Sequence, residues 1–457
     1  MTDTNPTTPR RRRFRHPYLW FLLLLAVSAC GWAGWRDYDN RAAIEEAAAA
    51  GLNWQVVQKT PFEIIRKNWR AAFSEETWWG GSQRLDVGEG HDLTSLRPLL
   101  LRLRPTWLSI RACEDANLDA LKGLSSLHSL NLHGCSALQN VHGLKGLTGL
   151  EWVEVTDSPA LQNIDDLKGL SGLRRLVLTD CSALENVDVL KSLPDLQELT
   201  LEVCPALQNV DAIKGLTGLQ KLNLRDISAM RNMDALKGRS SLEEIRLINC
   251  IALQNVDSLE GLSGLQKINL QGCPALQNVD GLKRLPGLSW LELTGCTVLQ
   301  NVDGFEELPN LLWLELTDCT VLQNVHGLKD LSGLRQLHIN DCPALLNLDG
   351  IRGIAGLEEI HLSHCKALQN VDAIKGISNL RQLYINDCPA LQSVDGIKGL
   401  TRLQDISFRH CTALQNLDGV KGISGLETLD LQECPNLSSK TVAELRAALP
   451  NTRISTD

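Results

Sequence analysis

"GLSWLELTGCTVLQNVDGFEELPN", residues 287–310, is one turn of a phrase that the chain repeats along most of its length. Its frame is L-x-x-L-x-L-x-x-C-x-x-L-x-N-V-D-x-L. The cysteine position recurs at 135, 158, 181 and on to 434, in thirteen steps of 23 residues with no insertion or deletion. One further copy, at 113, stands 22 residues ahead of the rest. Cysteine fills 13 of these 15 positions, with Ser158 and Ile227 as the exceptions. A fixed period of this size marks stacked supersecondary units, so the 457 residues are read as one array with appendages and not as several globular domains.

Within "LWLEL" (312–316), strand alternation places Leu312, Leu314 and Leu316 inward and Trp313 and Glu315 outward. One unit cannot hide its own leucines; stacking on its neighbours does so. Aromatic residues are only 4% of the chain, so the core is aliphatic. Over residues 105–434 this frame resembles the leucine-rich repeat pattern, closest to the short internalin-like class lengthened by one residue after the turn. The resemblance implies an α/β fold: a right-handed, curved solenoid with a parallel sheet on its concave face and capping modules at both ends. It also implies a bacterial protein, a scaffold and not an enzyme, with no cofactor, and a turn whose cysteine points inward.

Three columns follow from the phrase. The cysteines from 113 to 434 read as a ladder of buried thiols, because cysteine is small, tolerates burial and carries a weak S–H donor. Neighbouring strands lie within disulfide reach, but parallel side chains disfavour the bond, and thirteen cannot pair completely. A straight column also lacks the tetrahedral convergence that zinc wants. Asn140, Asn163, Asn186 and their successors read as a second ladder tying successive turns, broken by Ser393. Asp165, Asp188, Asp211 and their successors, replaced by His142 and His326, read as N-caps of short helical turns.

The ends differ from the array. Residues 1–17 form a basic region, with arginines at 10–13 and 15, and residues 18–35 are apolar and uncharged. That combination is an address or an anchor. Residues 18–35 are either a retained transmembrane helix, at the short end of the length a bilayer needs, or the core of a lipoprotein signal in which "VSAC" puts the lipidated residue at Cys30. A cytosolic chain with an apolar start is the third reading. Either anchor leaves the body outside the cytoplasm, at the periplasmic side or the cell surface. Residues 36–104 read as an αβ linker and N-terminal cap, or as a small binding domain on Trp69, Trp78 and Trp79. Residues 435–457 read as a C-terminal cap.

Beyond residue 35 the chain holds 40 basic and 53 acidic side chains, a net −13 with no basic stripe. This argues against nucleic-acid partners, whose binding rests on phosphate neutralisation. No serine, cysteine or histidine sits in a nucleophile motif, and no catalytic residue is assigned. Outward strand positions vary while the frame does not, so partner choice belongs there. Trp290, Glu292, Trp313, Glu315, His338, His361, His364 and Tyr384 form the candidate contact patch for a protein partner. A small ligand, glycan or metal at the same patch, or a structural cell-envelope spacer, are the alternatives. Glu315, His338 and His361 in a single row would converge poorly on an ion, so no metal ligands are assigned.

Overall fold

The computed structural model describes residues 42–57, 82–114, 116–207, 209–305 and 307–456. Among them eighteen strands form one sheet. The strands Asn53–Val57 and Ser82–Val87 pair antiparallel, and from Ser82–Val87 onward each strand pairs parallel with the next in chain order. The array therefore reaches back to residue 82, one strand ahead of the repeat phase. The register steps by 23: Trp290 lies opposite Trp313, which lies opposite Gln336, Glu359 and Gln382 in turn.

Two periodicities build each turn. In the strand Trp290–Thr294, Leu291 and Leu293 are buried, while Trp290, Glu292 and Thr294 face outward. After the strand, apolar residues recur every third place: Cys296, Leu299, Val302, Phe305, Leu308 and Leu311, all buried. Tight backbone bonds match that spacing, from Leu299 N to Cys296 O, Phe305 N to Val302 O and Leu311 N to Leu308 O. Residues three apart eclipse in a 3-10 turn, so the returning segment shows one apolar edge to the core. The back of the array is accordingly made of 3-10 turns such as Asp280–Leu282 and Asp349–Ile351. Among the described residues α-helix is confined to the ends, at 42–49, Leu93–Leu103 and Ser439–Ala448. The α layer of the expected α/β class is thus largely a 3-10 layer.

Leu312 departs from expectation. It is 49% exposed, whereas Leu311, Leu314 and Leu316 are buried. The strand begins at Trp313, and the preceding turn resets the alternation, so Leu311 takes the inward place.

The residue before each cysteine position is left-handed. Asp341, His364, Asp387 and His410 have φ of 52°, 56°, 54° and 55°, and Gly134, Gly272 and Gly295 fill the same column. This conformation turns the chain out of the strand and aims the cysteine into the core. Val203, at φ 51°, holds it with a β-branched side chain, a costly choice for this region of φ/ψ space.

The ends are sealed. Asp92 caps the helix Leu93–Leu103, accepting from Thr94 N and Ser95 N at 2.9 and 3.1 Å, and Leu93, Leu100 and Leu103 bury against the array. At the far end Ser438 accepts from Thr441 N at 3.0 Å. Leu445 is buried, and the strand Arg453–Ser455 pairs with Thr428–Asp430. No helix among the described residues is long and apolar enough to cross a membrane. The segment 18–35, Cys30 and the tryptophans at 69, 78 and 79 lie outside the described residues.

Candidate functional site

The cysteine column is buried throughout, from Cys113 at 2% exposure to Cys434 at 6%. Cys113 and Cys135, across the single 22-residue step, form a disulfide with Cα atoms 4.6 Å apart. This corrects the expectation of an unbroken thiol ladder. Cys181 to Cys411 are free thiols. Many donate backward across the repeat: Cys296 Sγ to Leu270 O at 3.6 Å, Cys319 to Leu293 O at 3.7 Å and Cys411 to Ile385 O at 3.2 Å. These thiols thereby reach a carbonyl of the preceding strand, whereas Cys204 and Cys388 bond within their own turn, to Glu202 O and Asn386 O. Burial raises Cys204 to about 11 and Cys181 to about 12, which removes thiolate chemistry at neutral pH.

The asparagine column works locally. Asn301 Oδ1 accepts from Asp303 N at 3.2 Å, Asn347 from Asp349 N at 3.1 Å and Asn370 from Asp372 N at 3.2 Å. Ser393 Oγ does the same for Asp395 N at 3.1 Å. These are turns within one unit, so of these two columns it is the cysteines, not the asparagines, that link successive units. The aspartates are the first residues of the 3-10 turns and not their N-caps, a place held by apolar residues such as Ile164, Val187 and Val210.

On the solvent face of the sheet, parallel pairing sets equal positions side by side. Trp290 and Trp313 stack with centroids 4.6 Å apart and planes within 1°. Trp313 meets His338 edge-on at 5.7 Å, His338 stacks on His361 at 4.5 Å, and His361 meets Tyr384 at 4.5 Å. Five rings on five consecutive strands thus make one ladder. It shifts diagonally at Trp313, from the first place of the strand to the third place, which His338, His361 and Tyr384 share.

Carboxylates line the ladder. Glu292 lies opposite Glu315. Asn269 Nδ2 donates to Glu292 at 2.7 Å, and Thr317 Oγ1 donates to Glu315 at 3.0 Å. Partial burial first, and Glu315 second, push the Glu292 carboxyl above its ordinary value. Because the folded protein holds this proton longer than the unfolded chain, the group's contribution to stability is full below the ordinary carboxylate range. It declines as pH rises through the raised value. A carboxyl-resolved NMR titration is expected to place Glu292 above the usual value of about 4.3, and Glu315→Gln to bring it partway down. A value at or below the usual one, or one unmoved by the substitution, refutes this account.

Sequence reasoning missed Glu359. Its Oε1 lies 2.7 Å from His361 Nε2 and 3.4 Å from His338 Nε2, and its Oε2 accepts from Gln336 Nε2 at 2.7 Å. The signal was available: Glu359 stands two residues before His361 and so shares its face. Glu315, the acid considered from sequence, lies on the other side of His338. Burial, then His338, pushes His361 below the ordinary imidazole value. His364 falls outside the ladder, at the strand end, between Asp341 at 3.6 Å and Asp387 at 3.7 Å.

The BspA type leucine rich repeat region matches residues 111–230 and 340–447, in six copies. No curated protein matches the chain. Among solved structures, a leucine-rich repeat protein of Leptospira interrogans is similar at 18% identity, covering 80% of this chain and 98% of that one, with a TM-score of 0.56. An internalin from Listeria monocytogenes is similar at 16% identity, covering 74% and 88%, with a TM-score of 0.52. Toll in the Drosophila Toll–Spatzle complex is similar at 17% identity, covering 76% and 49%, with a TM-score of 0.51. At these identities the likeness is one of fold.

Proposed function

Because the chain belongs to the leucine-rich repeat proteins, we propose that it is a non-enzymatic scaffold that binds a protein partner through the open face of its sheet, concave in a right-handed solenoid. Residues 18–35 tether it to a bacterial membrane, as a helix or through lipidated Cys30, with the body outside the cytoplasm. The observation that carries the binding assignment is the five-ring ladder from Trp290 to Tyr384. Tryptophan and tyrosine are favoured anchors of interface hot spots. Rings already stacked against one another lose little freedom on binding, which favours affinity. A solved complex of similar fold, Toll with Spatzle, supports a protein partner for such a scaffold. The patch from Trp290 to His364 would alternatively take a glycan or small ligand, and a spacer would take nothing.

The full chain and a Trp290→Ala/Trp313→Ala/Tyr384→Ala variant, used as bait in envelope extracts and then titrated against the purified captured protein, separate these readings. The expected result is a partner whose affinity falls about 30-fold or more in the variant, at hot-spot magnitude, while the melting temperature stays unchanged. A glycan retained in place of a protein supports the alternative. Equal binding by bait and variant removes the ladder from the interface, and no specific binding leaves the spacer.

A further inference from the structure

Between Trp313 and Tyr384 lies a group of atoms whose arrangement ring stacking alone does not explain. The Nε2 atoms of His338 and His361 both turn toward one oxygen, Glu359 Oε1. Neither contact has the geometry of a hydrogen bond, and both nitrogens are closed off from solvent. Leaving such a nitrogen unsatisfied costs about 1–3 kcal/mol, and here two stand side by side, facing one carboxylate oxygen. The three ligand atoms lie within 4.8 Å of one another. They form a triangle and not a row: Glu359 and His361 share a strand two residues apart, and His338 stands directly opposite His361 on the neighbouring strand.

The geometry points to a metal site in which His338, His361 and Glu359 bind one late first-row divalent ion of the zinc class, with a further position open to solvent. Imidazole and carboxylate donors together select such ions over magnesium and calcium. Three protein ligands with one open place is the arrangement of accessible zinc centres. At metal–ligand bonds of about 2.0–2.2 Å the donors sit about 3–4 Å apart, so small side-chain rotations gather these three. The supporting shell is in place. Gln336 Nε2 holds the second carboxylate oxygen at 2.7 Å, as outer-shell partners of metal ligands do. Trp313 and Tyr384 bracket the imidazole pair from either side. The side chains of His338, Glu359 and His361 are 22%, 19% and 34% exposed, so rotation of the two rings at the surface brings their covered Nε2 atoms to an entering ion. The site shares two rungs of the ladder but needs no partner to test.

The test is calorimetric titration of the chelator-stripped full chain with Zn2+, paired with visible spectra of the Co2+-loaded protein. One saturable site is expected, with a cobalt d–d spectrum and no thiolate charge-transfer band. His338→Ala and His361→Ala each weaken binding about a hundredfold or more, and Gln336→Ala about tenfold, the range typical of outer-shell losses. His364→Ala/His410→Ala, which removes two histidines of the exposed strand-end row, leaves binding unchanged. Metal-free melting temperatures confirm that the variants fold. Binding retained by His338→Ala/His361→Ala, a thiolate band, loss in His364→Ala/His410→Ala, or no saturable binding overturns the site.

Discussion

Phe305→Ala is expected to lower the stability of the array by about 3–5 kcal/mol, the cost of truncating a fully buried aromatic side chain. Phe305 is wholly inaccessible and fills a column held elsewhere by Leu282, Leu328 and Ile351. Its ring is larger than theirs, and the sheet register fixes the neighbouring turns, so the void cannot close by sliding one unit. In a stacked array each unit touches only its neighbours, so the loss concentrates at two interfaces. Unfolding should therefore lose cooperativity as well as midpoint, read by circular dichroism in urea. Leu312→Ala is the matched control. That residue is 49% exposed, and its loss should fall within about 0.5 kcal/mol of wild type. A Phe305 variant within about 1 kcal/mol of wild type, or a Leu312 variant as costly as it, would contradict this account of the core.

The second large effect is chemical silence. Cys181 to Cys411 are buried, which keeps reagents from the whole column, and at Cys181 desolvation also holds the thiol at about 12 against an ordinary 9.0. At neutral pH that alone lowers its thiolate fraction by roughly a thousandfold, and the thiolate is the attacking species. Reaction must wait for local opening, which is rare in a sheet flanked by paired strands. A thiol reagent added to native protein should leave peptides covering residues 181–411 unmodified over hours, and label them all after unfolding. Cys113 and Cys135 should label only when reductant accompanies the denaturant. Rapid native labelling within 181–411 would mean that the column opens to solvent.

Much of the fold could be read from one phrase because its period holds through thirteen consecutive steps. Thirteen equal steps determine that Leu314 and Leu316 face inward and that strand follows strand. The failures lie where function depends on backbone turn and not on residue identity. Alternation carried one residue too far made Leu312 a core residue. Asparagine was assigned to the link between units because only the left-handed residue before each cysteine reveals that the thiol reaches backward. That residue had a trace in the sequence, since glycine, aspartate and asparagine dominate its column. The Cys113–Cys135 bridge also had a trace: it spans the one step of 22. The site was legible by column but not across columns. Trp313 meets His338 from the adjacent place on the next strand, and Glu359 joins His361 from two residues away. Both contacts depend on rotamers, which a one-dimensional register does not encode.

From residue 135 on, the constant register also makes the whole turn the natural neutral unit of length. Duplicating or excising 23 residues anywhere between two cysteines would return each thiol to a carbonyl and each leucine to a leucine, and would move the ends by about 4.8 Å. Adding or removing a single residue would instead exchange the two faces of the strand it entered. The chain therefore carries a reading frame at the level of its architecture. The reach of its ring-bearing surface is a copy number, set by how many successive turns place an aromatic or imidazole residue in the first or third place of the strand.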